Sequence, residues 1–283
     1  MFLTSRVLLT VAASASGQII GIVQTDDVNN GYIPWVEQWG ATAKVLPNTA
    51  SSAEVEVIFQ SINALLLPGV TMGVDSQTSV GTALVSRALQ ANAEGDYFAV
   101  WGTCKGYEQM LNIIAGRSVL DSGFDSVDFP TSLTLTEDSL VERSGSRGSR
   151  GSRGSRGSRG SRMLAGANAS LLEWVSNEAI TYNNHGAGIT PEHLANNQKL
   201  ARFFDVVATS TDRRGRQMVE LVEGKLLPFY GAQFHNEKPQ FVPAAGQTKH
   251  IPKTAHAKAF AAYMGSFLVD EARKSRHNRT SQL

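Results

Sequence analysis

The 283-residue sequence predicts an α/β fold, a parallel sheet with helices on both faces. Three observations predict it. Short, nearly continuous apolar runs recur at 18–23, 43–47, 64–67 and 97–101, the pattern of strands buried on both sides. Segments with apolar residues at helical spacing lie between them, so strand and helix alternate. Turn residues, Pro68-Gly69 and the Gly102 to Gly106 stretch, end two of the runs. Open parallel sheets carry their sites there, beyond the carboxyl ends of the strands.

Each element has its own warrant. The first strand is the run 18–23, and 26–31 reads as loop. Tyr32, Val36 and Trp39 fall at helical spacing. Pro34 sits in the first turn, where its missing N–H is tolerated, and Gly40 is a stop. After the second strand, Ser51 or Ser52 caps a helix that carries Val55, Ile58, Phe59 and Ile62 on one face. The third strand, Ala64 to Leu67, runs into Pro68-Gly69. Residues 80–91 read as helix and 97–101 as the next strand. Met110, Leu111, Ile113 and Ile114 mark a further helix that closes at Gly116. Further on, 132–136 reads as strand, 170–177 as helix, 182–186 as a polar loop and 191–201 as a helix opened by a proline. Residues 204–210 and 217–222 read as antiparallel strands around Asp212-Arg213-Arg214-Gly215, 229–235 as a strand and 256–273 as a closing amphipathic helix. No G-x-G-x-x-G follows the first strand, which argues against a dinucleotide fold.

Hydrophobic content of 42% and charge of 18% are those of an ordinary globular protein. The net charge of +1 is skewed by residues 145–162, six copies of Gly-Ser-Arg. Without those six arginines, 20 basic residues face 25 acidic ones, which gives no reason to expect a nucleic-acid partner. The repeat predicts a disordered surface insertion at 144–162. Residues 1–15, with Arg6, an apolar run and Ala13-Ser14-Ala15, read as a secretory signal too short to be a stable membrane anchor. Two N-glycosylation sequons, at Asn168 and Asn278, fit that route, toward the exterior or a lysosome or vacuole. The folded domain is then expected over 16–274 and a disordered tail over 275–283. One cysteine excludes an internal disulfide and any cysteine-based metal cluster.

That cysteine carries the chemistry. Strand, tight turn and helix, with Cys104 between Gly102 and Gly106, present a nucleophile at the top of a parallel sheet. The helix start is expected to lower the thiol pKa. The plainer reading is an inert buried thiol. A thiol nucleophile needs a base and an orienting group. His235, at the end of an apolar run, and Glu237 two residues on supply both. Donors for an oxyanion would be the backbone N–H of Lys105 and that of Gly69 or Val70. Glu108 lies one helical turn past Cys104 and can meet an ammonium group.

These residues carry a resemblance. Ile19-Ile20-Gly21-Ile22, the Ser61 to Gly69 stretch, Trp101-Gly102-Thr103-Cys104-Lys105-Gly106-Tyr107-Glu108 and Tyr230-Gly231-Ala232-Gln233-Phe234-His235-Asn236-Glu237-Lys238 resemble the gamma-glutamyl hydrolase family, a branch of the class I glutamine amidotransferase-like superfamily. The resemblance implies a three-layer flavodoxin-like sandwich with a mostly parallel central sheet. It also implies Cys104 as nucleophile, His235 as base, Glu237 as orienter, and Glu108 and His185 at the substrate glutamate. The implied reaction is hydrolysis of gamma-glutamyl bonds, of folylpoly-gamma-glutamates, through a thioester, with no metal or cofactor. The partner is a small-molecule substrate, and a homodimer is left open. Glutaminase activity, or a weakened glutamyl-binding relative, are the alternatives. Three positions depart from the family pattern: Val70 where the family has glycine, Lys105 where it has leucine, and Asn236 where it has proline.

Overall fold

The computed structural model describes residues 17–25, 31–70, 79–140 and 160–277. The first half of the chain forms β1 (Ile19–Val23), α1 (Ile33–Glu37), β2 (Thr42–Leu46), α2 (Ser52–Gln60), β3 (Ala64–Leu67), α3 (Ser79–Ala93), β4 (Ala99–Thr103) and α4 (Lys105–Ala115). Next come β5 (Asp121–Thr131), β6 (Thr134–Leu135), α5 (Glu137–Leu140), α6 (Ala169–Asn177) and β7 (Thr181–Gly188). The chain continues with α7 (Pro191–Asn196), α8 (Gln198–Phe203), β8 (Phe204–Thr211), β9 (Gln217–Gly224), β10 (Phe229–Ala232), α9 (Lys238–Phe241) and α10 (Ala255–Ala272).

The main sheet has eight strands in the order β2-β1-β3-β4-β10-β9-β8-β6. β2, β1, β3, β4 and β10 pair in parallel, and β9, β8 and β6 extend the sheet by antiparallel pairing. β5 and β7 form a separate antiparallel ribbon. The apolar runs are continuous because alternate residues serve different cores. Ala99 and Trp101 of β4, with Ala64 and Leu66 of β3, join the cluster that holds Trp35, Phe260 and Leu268. Val100, Leu65 and Leu67 join the opposite one, with Phe59, Leu84 and Leu111. Helices therefore cover both faces of the sheet.

Local signals act as their chemistry predicts. Ser51 caps α2 in a capping box with Glu54, and Gly116 ends α4 in the left-handed conformation. The start of α4 lies against the end of β3. A Cβ on Gly106 would fall 2.0 Å from the carbonyl oxygen of Leu67, so the approach requires glycine. Gly106→Ala is expected to cost about 2–3 kcal/mol by overpacking. A urea titration reads this as a lower midpoint at unchanged slope, and an unshifted midpoint would refute the tight approach.

Several expectations are corrected. The strand expected at 132–136 is only the short β6, and the long β5 precedes it. Gly123 and Pro130 hide β5 in the sequence, and the ladder itself is irregular, with register shifts between Ser122, Ser126 and Phe129. The polar loop expected at 182–186 is the middle of β7. Asn183 and His185 are buried there because they find partners, which composition does not reveal. The helix expected over 191–201 breaks at Asn197, which ends α7 and caps α8 by accepting from the N–H groups of Lys199 and Leu200. β10 ends at Ala232, so His235 stands beyond the strand.

Two boundaries also move. Ser161 and Arg162, expected in the insertion, are packed: the Ser161 hydroxyl and the Arg162 and Met163 N–H groups all donate to Glu223. Ser275 and His277, expected in the tail, are buried. His277 Nδ1 lies 3.0 Å from the Phe59 carbonyl oxygen, and Nε2 lies 2.8 Å from Asp96. The expected leader at 1–15, the loop residues 26–30, insertion residues 144–159 and the tail beyond 277 lie outside the described residues.

Candidate active site

Cys104 follows the last residue of β4 and precedes the first of α4, so one residue must turn the chain. It does so at φ 49° and ψ −111°. A non-glycine residue held there stores about 1–3 kcal/mol of strain. Its N–H donates to the Ala232 carbonyl at 2.8 Å, and its own carbonyl accepts from Glu108 N–H at 2.9 Å. The strain is over-determined by the strand on one side and the helix on the other.

β3 and β10 flank β4 in the sheet, so the segments that leave their carboxyl ends meet at Cys104. Gly69 comes from one side and His235 from the other. A Cβ at Gly69 would lie 2.7 Å from His235 Cε1, 2.9 Å from Tyr32 Oη and 3.3 Å from Cys104 Cβ. His235 and Cys104 therefore bracket the same backbone position. His235 Nδ1 lies 2.7 Å from Glu237 Oε1, and both side chains are buried. Glu237 fixes the ring so that Nδ1 carries the proton and Nε2 is left as the basic nitrogen. Lys238 is buried too, with Nζ 3.8 Å from the same carboxylate oxygen.

The expected oxyanion donors can be located. Lys105 N–H points at the Cys104 sulfur. Gly69 N–H donates to Tyr32 Oη at 2.8 Å, and that hydroxyl lies 3.4 Å from His235 Nδ1. Sequence reasoning missed Tyr32. It lies 203 residues before His235 in a helical pattern that already explained it as core. Among the described residues only Cys104 and Asp128 combine a side chain with positive φ, so Val70 carries no left-handed strain.

Electrostatics correct one expectation. Burial, and then the charges of Glu108 and Glu237, push the Cys104 thiol well above its ordinary pKa, although Lys238 and the Lys105 N–H oppose the shift. The helix start does not outweigh desolvation. The resting group is a thiol, and its proton has to leave when it attacks.

Glu108 is buried, accepts from Gln233 Nε2 at 3.1 Å and faces Lys105 Nζ at 3.2 Å. Burial raises its pKa, and Lys105 opposes the rise. His185 is also buried, on β7. Nδ1 lies 2.7 Å from the Ala187 carbonyl oxygen and Nε2 lies 3.0 Å from Asn183 Oδ1. Both neighbours are acceptors, and the neutral ring has one N–H, so it donates to only one of them; the ring also lies close enough to His235 to feel its charge. Asn183 Nδ2 donates to Glu220 Oε1, which also accepts from Ser210. Nothing in the sequence singles out Asn183 or Glu220, because the ribbon that holds His185 against β9 has no local signal.

Glu220 makes a pH prediction. Burial pushes its carboxyl from 4.5 up to about 7. The folded chain therefore holds a proton that the unfolded chain has lost, and stability falls as pH rises from about 4.5 to about 7. The full effect is at most about 3 kcal/mol. His185, pushed by burial from 6.5 down to about 4, acts in the opposite sense. It is protonated only in the unfolded chain between those values, so it adds stability as pH rises. Glu220→Gln isolates the carboxylate: its stability relative to the parent should improve between about pH 5 and pH 7.5. Urea unfolding at both values checks this, and a constant difference would contradict it.

A buried thiol on a strained turn, a carboxylate-held imidazole and a backbone donor at the ends of adjacent parallel strands define the class: a thiol-dependent amide acyl-transfer site on a glutamine amidotransferase-type sheet. The class-I glutamine amidotransferase family model matches residues 26–249. Gamma-glutamyl hydrolase of Mus musculus is 31% identical over 250 residues, which span 87% of this chain and 71% of the mouse protein. The Homo sapiens protein of the same name is 29% identical over 256 residues, 89% of this chain and 72% of that one. Gamma-glutamyl hydrolase 1 of Arabidopsis thaliana is 27% identical over 271 residues, 95% of this chain and 71% of that one. A solved glutamine amidotransferase from Thermotoga maritima superposes with a TM-score of 0.51 at 10% identity, covering 90% of this chain and 98% of that chain, a likeness of fold alone. The chain belongs to the class-I glutamine amidotransferases and, within them, to the gamma-glutamyl hydrolase family.

Proposed function

We propose that this protein hydrolyses gamma-glutamyl bonds with Cys104 as nucleophile, His235 as base and Glu237 as its orienting carboxylate. The observation that carries this reading is Cys104 at φ 49°, beside Gly69 and the His235–Glu237 pair. The thiol passes its proton to His235 as sulfur bonds to the gamma-carbonyl carbon. The oxyanion that forms is met by Lys105 N–H and by Val70 N–H, since Gly69 N–H is held by the Tyr32 hydroxyl. The tetrahedral species then expels the amine, which takes the proton from His235. A gamma-glutamyl thioester remains, and water attacks it as His235 takes the water's proton. The thiol and a free gamma-carboxylate are released.

The finer reading is that the donors are folylpoly-gamma-glutamates and that the protein works in the secretory route, outside the cell or in a lysosome or vacuole. The names of the relatives support the reaction. Asn168 of the first sequon supports the route: it is exposed, and its Oδ1 caps α6. No helix among the described residues is long and apolar enough to cross a membrane. Glutamate release from a defined pteroyl pentaglutamate, scored beside ammonia release from glutamine, tests the reading. Ammonia release without gamma-peptide cleavage would replace it with a glutaminase.

A further inference from the structure

We propose that Lys253 is a positioning residue for the His235–Glu237 pair. Its ammonium gathers three backbone carbonyls at the end of α9, and those carbonyls form a monovalent-cation site once the lysine is cut back. The inference rests on the reaction proposed above and adds a residue to it. Lys253 Nζ donates to the carbonyl oxygens of Lys238 at 2.9 Å and Pro239 at 3.1 Å, and to that of Val242. An ammonium has three N–H groups, so all three are used. Carbonyls at a helix end favour a lysine cation.

The cluster is tied to the chemistry through one turn of chain. α9 starts directly after Glu237. Phe241 N–H donates back to the Glu237 carbonyl at 3.4 Å, and Val242 N–H to the Lys238 carbonyl at 3.1 Å. The side chains at the two ends of this turn also meet. A Cβ placed on Gly31 would lie 3.1 Å from Glu237 Cγ and 3.3 Å from Val242 Cγ2, so both rest against one backbone position. On the other side, Lys253 precedes Thr254, whose hydroxyl accepts from Ala257 N–H and caps α10. Phe260, Met264 and Leu268 seat that helix in the sheet core. Lys253 therefore fastens the turn that carries Glu237 to an element fixed on the sheet.

Asn236 explains why the turn needs a clamp. It stands between His235 and Glu237 where the family has proline, so no ring fixes φ there. Its side chain is buried, and neither polar atom has a hydrogen-bond partner among the described residues, so it does not tie the turn either. A clamp from outside the turn supplies the stiffness, and a base must be held closely to act.

Two variants test this. Lys253→Ala opens the carbonyl cluster, and Lys253→Met keeps the stem without the charge. Both are expected to lose about 10- to 100-fold in kcat on a pteroyl polyglutamate, with KM within about twofold of the parent. In Lys253→Ala, ammonium or potassium chloride should raise kcat about fivefold or more above tetramethylammonium chloride at equal ionic strength. Backbone carbonyls can replace the hydration shell of a small cation but cannot admit a bulky one. Lys253→Met, whose stem fills the space, should not respond. Parent-like kcat in Lys253→Met would overturn the proposal, as would a loss in Lys253→Ala that ammonium restores no better than tetramethylammonium. If Lys253→Ala does not fold, the split between kcat and KM in Lys253→Met decides alone. Alkylation of Cys104 by iodoacetamide needs no substrate, because His235 has to take the thiol proton there too. It should slow in Lys253→Met, and a parent-like rate would remove the clamp. Alkylation that depends on Lys253 in a protein that turns over no gamma-glutamyl donor would sink the hydrolase reading and leave the clamp standing.

Discussion

Replacing Cys104 with alanine is expected to remove gamma-glutamyl hydrolysis altogether, a loss of about 10⁴-fold or more in kcat, while the protein stays folded. The sulfur is the only atom removed. Alanine keeps the backbone bonds to Ala232 and Glu108, and it sits at the same strained φ. Loss of a buried sulfur also removes the group whose ionisation Glu108 and Glu237 oppose, so stability should not fall by more than about 1 kcal/mol. Initial rates on a pteroyl polyglutamate, with urea unfolding on the same samples, check both parts. Equal turnover by parent and variant would eliminate a thioester route.

Glu237→Gln is expected to be nearly as severe, about 10³- to 10⁴-fold in kcat/KM. Glu237 is wholly buried, and its Oε1 holds His235 Nδ1 at 2.7 Å. A glutamine can offer its amide NH2 to that nitrogen, which forces the proton onto Nε2 and leaves no base facing the thiol. If it offers oxygen instead, the tautomer survives, but the charge that stabilises the imidazolium is gone. Lys238 Nζ, 3.8 Å away and buried, also loses an anionic neighbour. Glu237→Asp keeps the charge and should recover part of the rate. If Glu237→Gln matches the parent in kcat/KM across pH, the orienting role is wrong.

Much of this was legible from the chain itself. The doubly buried strands announced themselves as apolar runs because each serves two cores. The Cys104 elbow is a local object of strand, turn and helix, so its glycines and cysteine are neighbours in sequence. His235 and Glu237 lie two residues apart, and their pairing is also local. Residues 182–186 read as a polar loop, not as the strand they form, because a strand of Asn, His and Gly has no apolar periodicity. Its burial depends on Glu220 and Ala187, partners that local pattern cannot supply.

By itself the sequence determined the fold class, the thiol and its imidazole–carboxylate pair, because each arises from periodicity or from neighbours on one turn. Tertiary structure alone decided what the site does with its charges. Strand order brought Gly69, Cys104 and His235 to adjacent sheet ends and placed the Tyr32 hydroxyl on Gly69 N–H. Burial overrode the helix start and kept the cysteine a thiol, and it committed Lys105 to Glu108. Desolvation depends on everything that surrounds a group, and no stretch of sequence contains its own surroundings.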